Sequence, residues 1–493
     1  MITFPGTVAA LAASARTARR PALLGNDPVS FRELHERGTG RIAELADAGV
    51  ASGGIVAIVC FNETVVFEYL IAAGYLGAAL MPLSPALTDG ELFALVDKAD
   101  AAACVVTPGV GAARAERLGA RGGRRFRVAP PPADRVDGPD PGVPRADSTC
   151  WVSTTGGSTG TPRLFAVSHE RLLTNSLLNA YEWGWSAYPV HVSLSPVAHG
   201  IGFSHAVGQL ASGGTVALVE RYDPAAAADW LTGDRPAGWS AMVPTMVHDL
   251  YRHAERTGRP LTALGLLVCA GAALNVSLRD RVLATGTGRL IEYYGSTELG
   301  WVSWLEHRTG DHREGLVGMP TLGTAVRIVG PDGRPVPDGR IGQVQKRGRP
   351  YAVPLGGGTA AYQANATAWE SSGDLGRIDP DGSLVLAGRA DDMVVVGGQN
   401  VYPVEVELVL REHPAVREVV VRGTRSERLG QRLVAYVEAA ATDWLEEELR
   451  QLCARRLAGY KRPARFVIVD ALPRNSAGKL SRSFRLGAAG EPR

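Results

Sequence analysis

The chain has 493 residues, 45% of them apolar and 21% charged, the composition of a globular protein too long for one compact core, so two or more domains are expected. Its 52 basic residues are balanced by 50 acidic ones, which gives no support to nucleic-acid binding or to attraction by an anionic membrane. Five scattered cysteines, Cys60, Cys104, Cys150, Cys269 and Cys453, show no Cys-x-x-Cys spacing, which argues against a disulfide framework or zinc site and fits a reducing cytoplasm.

Met1 to Arg20 is rich in alanine and arginine. Pro5 and Gly6 break its apolar stretch and the basic residues follow it, so it reads as an N-terminal helix and not as a signal. No apolar run reaches about 18 residues, so no transmembrane helix is expected. GIVAIVC (Gly54 to Cys60) reads as a strand, and FEYLIAAGYLGAAL reads as a helix ending before Met81 and Pro82. A further unit ends at Cys104 to Thr107, and the alternation predicts a doubly wound parallel sheet. Arg127 to Thr149 holds six prolines and four aspartates and reads as an exposed connection.

Next comes STTGGSTGTPRLF (Ser153 to Phe165), three glycines and six hydroxyl side chains between apolar segments. GGSTG matches the G-x-S-x-G nucleophile elbow, with Ser158 as nucleophile, but that motif needs a strand-to-helix turn. Here Pro162 and the apolar run Leu164 to Val167 predict strand, loop, strand, with His169 and Glu170 opening a helix. A Walker P-loop fails on spacing, because no register supplies its Gly-Lys. The composition still suits an anion, since glycines let backbone amides converge and Arg163 can meet a phosphate oxygen. A plain glycine-rich turn is the competing reading of the loop alone.

GGTVALVE (Gly213 to Glu220) and LGLLVCAGAAL (Leu264 to Leu274) continue the α/β pattern. IEYYGSTELG (Ile291 to Gly300) joins tyrosines able to stack on a base, hydroxyls able to contact phosphate, and Glu298, able to hold Mg²⁺. From about Val317 to Leu386 short segments between Gly, Pro and Asp predict a β-rich subdomain. Within it SSGDLG (Ser371 to Gly376) places Asp374 in a predicted turn, where its carboxylate could grip ribose hydroxyls or merely form the turn. GRADDMVVVGGQNVYPVEVE (Gly388 to Glu407) and LPRNSAGKLSR (Leu472 to Arg482) follow, and a domain boundary is placed near Arg389. Only four of the 52 basic residues are lysines, Lys98, Lys346, Lys461 and Lys479, so a lysine in the Gly-Lys of the last motif implies a need for a compact charge on a flexible stem.

In this order and at these separations the motifs resemble the adenylate-forming superfamily of acyl-CoA synthetases, peptide-synthetase adenylation domains and luciferases, over nearly the whole chain. The resemblance implies a large N-terminal domain, residues 1 to 389, of doubly wound sheets plus a β-rich subdomain, and a small mobile α+β domain, residues 390 to 493. It implies that Thr155, Gly156, Gly157, Ser158, Thr159, Gly160 and Arg163 hold the ATP phosphates. Tyr294, flanked by Gly295 and Ser296, would stack on adenine, Thr297 would contact the α-phosphate, and Glu298 would bind Mg²⁺. Asp374 would hold the ribose with Arg389 in support, and Lys479 would bridge carboxylate and α-phosphate. Asp391 would be the hinge, with Gly397 and Gly398 facing the active site after rotation and contacting CoA. His199, in SPVAHGIGF, with Gly271, Ala272, Ala273 and Trp301, would line the acyl pocket.

Three positions depart from the family pattern: Arg163-Leu164 replaces the usual Lys-Gly, Val395 replaces a lysine of the hinge motif, and RGRPYAVPLGGGTAAYQ lacks the usual Gly-Tyr pattern. Leu164 adds a side chain where the family has none. The expected function is an ATP-dependent acyl-CoA ligase that activates a bulky apolar or aromatic carboxylic acid as acyl-AMP and transfers it to CoA. The alternatives are loading of a carrier-protein pantetheine, thioesterification alone from preformed acyl-AMP, and an inert nucleotide-binding protein, the last opposed by Glu298, Asp374 and Lys479. ATP, Mg²⁺ and CoA are the implied small molecules, and a homodimer is one assembly left open.

Overall fold

The structure, a computed structural model, describes residues 19–122, 126–130, 145–155, 163–233, 238–274, 276–285, 288–308, 313, 315–348, 351–357, 367–390, 394–396, 399–401, 403–426, 428–440, 444–474, 480 and 484. The chain divides into two compact units, the first made of Met1–Ala270, Arg281–Trp301 and Gly348–Ala368, the second of Gly271–Asp280, Val302–Arg347 and Trp369–Arg493. The predicted N-terminal helix lies outside the described residues.

In the first unit, strands Ala79–Leu83, Ile55–Val59, Ala103–Val106 and Phe126–Val128 pair in parallel, in that order. The hairpin Thr149–Thr155 and Arg163–Ser168 continues that sheet, and Val353–Pro354 closes the edge in antiparallel register. A second sheet runs Arg289–Ser296, Leu264–Ala270, Gly238–Met242, Val190–Ser193, Thr215–Leu218 and Pro21–Leu24 in parallel, with Val29–Ser30 antiparallel at the end. Strands buried on both faces explain the near-continuous apolar runs, since parallel sheets are covered by helices on each side. The doubly wound expectation holds.

Two sequence expectations change. The helix Thr64–Tyr75 ends at Gly77, whose φ of +68° leaves the helical region, and Ala79–Leu83 becomes a strand that includes Met81 and Pro82. Pro82 has no amide to donate, and pairing with the Thr149 strand narrows to Leu80 against Trp151. The connection after Arg127 is shorter than expected, because Phe126–Val128 adds an edge strand and Thr149 already belongs to the hairpin.

Helix packing is close. Gly38 in helix Phe31–Asp47 approaches Ile71 so nearly that a Cβ would sit 2.7 Å from its side chain. At the same contact Arg41 reaches Glu68 with Nε at 3.0 Å and Nη2 at 2.9 Å, both side chains buried.

In the second unit, Thr324–Val329, Gly342–Gly348, Glu370–Ile378, Leu384–Arg389 and Leu316–Pro320 form the expected β-rich region, with antiparallel pairing. A smaller sheet orders Gln399–Val401, Val394–Val396, Gly430–Glu438 and Glu418–Ser426, with Arg465–Val469 parallel to Gly430–Glu438. Helices Pro403–Arg411 and Leu445–Arg456 cover it over a core that includes Val406, Leu410, Val419 and Leu449.

Candidate active site

The phosphate-loop candidate begins where the hairpin strands run out. Thr155 pairs with Arg163 and Thr154 with Leu164, so the chain leaves one strand and enters the next at adjacent positions, the strand-loop-strand expected and not the elbow of a serine hydrolase. Gly156, Gly157, Ser158, Thr159 and Gly160 lie outside the described residues, as does the side chain of Thr155. Alternation along the strand then separates the two departing residues. Arg163 is exposed and donates from Nη2 to Glu298 Oε1 across 2.9 Å. Leu164 turns the other way, is 7% exposed, and packs with Val152 and Met81 in the core. Its extra side chain therefore stands in the sheet's interior.

Glu298 stands in the turn after strand Arg289–Ser296. The turn closes tightly: a Cβ on Gly295 would lie 2.2 Å from the Gly300 carbonyl, and Gly300 has φ +67° with Tyr351 Cβ 2.5 Å from any Cβ it might carry. Ser296 Oγ accepts from the Leu299 amide at 3.2 Å, so this hydroxyl holds the turn. Thr297 and Glu298 are partly exposed beside it. Tyr293 and Tyr294 alternate across the strand: Tyr293 stacks on Trp183 with centroids 5.1 Å apart, leaving Tyr294 on the opposite face.

His199 is the residue before helix Gly200–Ala211, held by its amide's bond to the Pro196 carbonyl at 2.9 Å. Trp301 is nearly buried against Tyr351 (4.9 Å), His205 (6.2 Å), Tyr293 (6.3 Å) and Trp183 (6.5 Å). Gly271, Ala272 and Ala273 are exposed in the bend after strand Leu264–Ala270 and fall in the second unit.

Within that second unit Asp374 and Arg389 are register partners across two antiparallel strands, joined at 3.2 Å between Oδ1 and Nη1. Asp374 thus lies in a strand and not in the predicted turn; the irregularity that the glycine announced is local, with Gly373 at φ +73° and the Gly373 and Asp374 amides bound by Ser371 and Ser372 hydroxyls. The carboxylate is held by the Arg389 guanidinium and is only 14% exposed, a firm anchor for a bidentate hydroxyl contact. Asp391, Gly397, Gly398 and Lys479 lie outside the described residues. Arg474 and Leu480, which flank the Lys479 segment, form an antiparallel bridge, and Phe484 beyond it is buried against Tyr436 at 5.2 Å.

Residues 11–352 match the family described as AMP-binding enzyme, and residues 405–479 match AMP-binding enzyme C-terminal domain. The chain belongs to the adenylate-forming superfamily. Feruloyl-CoA synthase from Amycolatopsis sp. is 31% identical over 92% of this chain and 93% of its own. The 2-succinylbenzoate–CoA ligase of Geobacillus kaustophilus is 29% identical over 93% and 92%. Among solved structures, an amide bond synthetase from Marinactinospora thermotolerans superimposes with a TM-score of 0.83 at 26% identity, covering 96% of this chain and 98% of that one.

Two features of this adenylate-forming enzyme escaped the sequence reading. Buried Asn62 donates from Nδ2 to the carbonyls of Ser193 (3.1 Å), Ser195 (3.2 Å) and Val219 (3.0 Å), and its Oδ1 accepts from the Val197 amide at 2.8 Å. One side chain thereby ties the end of the Ile55–Val59 segment to the second sheet and to the loop that leads to His199. The other is an aromatic nest of Trp183, Trp185, His205, Trp239, Tyr293 and Trp301. Its only advance signal was the pair of adjacent tyrosines, one of which must point inward from a strand.

Mg²⁺ fits the donors present. Among the described residues no three His, Cys, Asp or Glu side chains gather, so these residues form no carboxylate or histidine cage. A single partly exposed carboxylate, Glu298, suits a cation that takes its other ligands from phosphate and water.

Proposed function

We propose that the chain is an ATP-dependent acyl-CoA ligase acting on aromatic or bulky apolar carboxylic acids. The observation that carries this reading is the aromatic nest packed on Tyr293, in the strand that also bears Tyr294 and leads into the turn of Glu298: apolar rings beside the candidate nucleotide-binding groups. Feruloyl-CoA synthase and 2-succinylbenzoate–CoA ligase are relatives whose names describe such acids, which supports the same class here.

In the first half-reaction the carboxylate oxygen attacks the α-phosphorus, the bond to the bridging oxygen breaks, and pyrophosphate leaves with the electron pair. No protein nucleophile is needed, so the chain's contribution is positioning and charge. Arg163 and the loop from Thr155 hold the outer phosphates, Thr297 the α-phosphate, and Tyr294 the base. Asp374 holds the ribose hydroxyls and is itself oriented by Arg389, while Lys479 spans the carboxylate and α-phosphate. Mg²⁺ bound by Glu298 would neutralise charge on the phosphates. In the second half-reaction a thiolate sulfur attacks the acyl carbon and AMP leaves. CoA is the proposed acceptor, with Gly397 and Gly398 contacting it, and a carrier-protein pantetheine is the alternative that the assay separates. We place the domain division at residue 389, with Asp391 as pivot. Five free, buried cysteines fit a reducing compartment, so the cytoplasm is the proposed location.

The test is carboxylate-dependent exchange of pyrophosphate into ATP over a panel of acids, then thioester formation with CoA or carrier protein from acid plus ATP and from synthetic acyl-AMP. Exchange with aromatic acids and transfer to CoA support the reading. Thioester from acyl-AMP without exchange for any acid would instead establish a thioesterification-only enzyme.

A further inference from the structure

Lys479 directly precedes Leu480 in the chain, and the small sheet shows what holds the segment on either side of it. Side chains alternate across each strand, so the sheet has two faces. Helices Pro403–Arg411 and Leu445–Arg456 cover one of them. On the other, Val420, Val434, Tyr436 and Val467 pack with Leu472, Leu480 and Phe484, so chain from both sides of Lys479 lies on one apolar face.

A charged residue fastens each side. Beyond Lys479, Arg422 Nη1 donates to the Phe484 carbonyl at 3.0 Å. Before it, Glu438 Oε2 accepts from the Leu472 amide at 2.9 Å and stands 3.7 Å from Arg474 Nη2. Arg474 forms the antiparallel bridge to Leu480, so the group that holds Arg474 also holds the base of the segment that ends in Lys479.

Stability of the sheet does not account for Glu438. It is the register partner of Glu418 across the antiparallel pair, and like charges directly opposite one another destabilise a sheet. The remainder of that face is apolar, yet at 13% exposure Glu438 keeps a carboxylate there. Both of the groups it meets belong to the stem of the Lys479 segment. A lysine places a compact charge at the end of a flexible chain, and an error of about 1 Å in such a charge can cost about a hundredfold in rate, so the backbone that carries it has to be held.

We propose that Glu438 is a positioning residue for the first half-reaction: by holding Leu472 and Arg474 it fixes the stem from which Lys479 reaches the carboxylate and the α-phosphate. The inference rests on the ligase reading above and adds to it a residue that acts through Lys479 without touching substrate.

The test uses Glu438→Leu and Glu438→Gln in the full chain. Leucine suits the apolar face and removes the charge opposite Glu418, so Glu438→Leu should melt near the wild-type temperature. Its kcat for pyrophosphate exchange should nevertheless fall about tenfold or more, with thioester formation from synthetic acyl-AMP kept within about twofold. Glu438→Gln, whose amide oxygen still accepts from Leu472, should lose less. A second measurement does not depend on turnover. The chain has only four lysines, so reductive methylation with isotopic formaldehyde, read by peptide mass spectrometry, reports Lys479 separately from Lys98, Lys346 and Lys461. Mg²⁺ and ATP should protect Lys479 in the wild type and protect it much less in Glu438→Leu, with Lys98 and Lys461 labelled alike in both. Unchanged exchange in Glu438→Leu, equal loss in both half-reactions, or no difference in the protection of Lys479 overturns the proposal. Exchange with no acid would sink the ligase reading alone, and the labelling comparison would still decide this one.

Discussion

Arg163 Nη2 donates to Glu298 Oε1 across 2.9 Å, joining the first residue after the glycine-rich loop to the carboxylate proposed for Mg²⁺. Arg163 also lies over the Phe165 ring, 5.7 Å from its centroid. Because the arginine side chain is 66% exposed, the pair itself adds at most about 1 kcal/mol to stability. Arg163→Ala should leave the melting temperature nearly unchanged while lowering pyrophosphate exchange about a hundredfold, as expected for loss of a charge that faces transferring phosphates. Arg163→Lys should retain most of the rate. Melting curves and exchange kinetics check both, and an Ala variant as active as the wild type would remove Arg163 from the phosphate site.

Asp374 and Arg389 form the second charged pair, at 3.2 Å. Asp374→Asn keeps the shape and removes the charge-assisted acceptors, so KM for ATP should rise about thirtyfold with little change in KM for the acid. Initial-rate kinetics with each substrate varied decides this; an equal rise for both substrates would point to general damage.

Asn62 makes four buried hydrogen bonds, three of them through one amide nitrogen. Asn62→Ala leaves three carbonyls and one amide without that partner and should cost about 2–4 kcal/mol of unfolding free energy. It should also raise KM for the acid, because Ser195 and Val197 lead to His199. Denaturant unfolding and kinetics measure the two effects.

Phe484 is buried beside Tyr436, with the Arg422 guanidinium 4.9 Å from its ring centroid and Arg422 Nη1 donating to the Phe484 carbonyl at 3.0 Å. It anchors the chain on the far side of Lys479. Phe484→Ala should reduce exchange about tenfold by loosening that segment, yet spare thioester formation from acyl-AMP. Equal loss in both assays would contradict a role confined to the first half-reaction.

His169 and His205 are both pushed down to about 4 by burial. The unfolded chain binds more protons than the folded one between about pH 4 and 6.5, so stability falls as pH drops through that window, by up to about 1.4 kcal/mol per pH unit for each histidine. Above about pH 6.5 the contribution is constant. His205→Phe should flatten the slope in that window, measured by chemical denaturation at a series of pH values.

The sequence by itself determined the family, the doubly wound sheets, the β-rich region and the strand-loop-strand at Ser153 to Phe165. These follow from local periodicity and from motifs whose residue types carry their own chemistry. It misread the helix end at Gly77 and the turn at Asp374, because a glycine marks a change of backbone direction without saying whether a strand follows or continues. Only the tertiary structure decided which way Leu164 points, which cation meets Glu298, what Asn62 joins, and that His205 stands among tryptophans contributed by separate segments. Those are contacts between residues far apart in the chain, and no local pattern can encode a distance that folding alone creates.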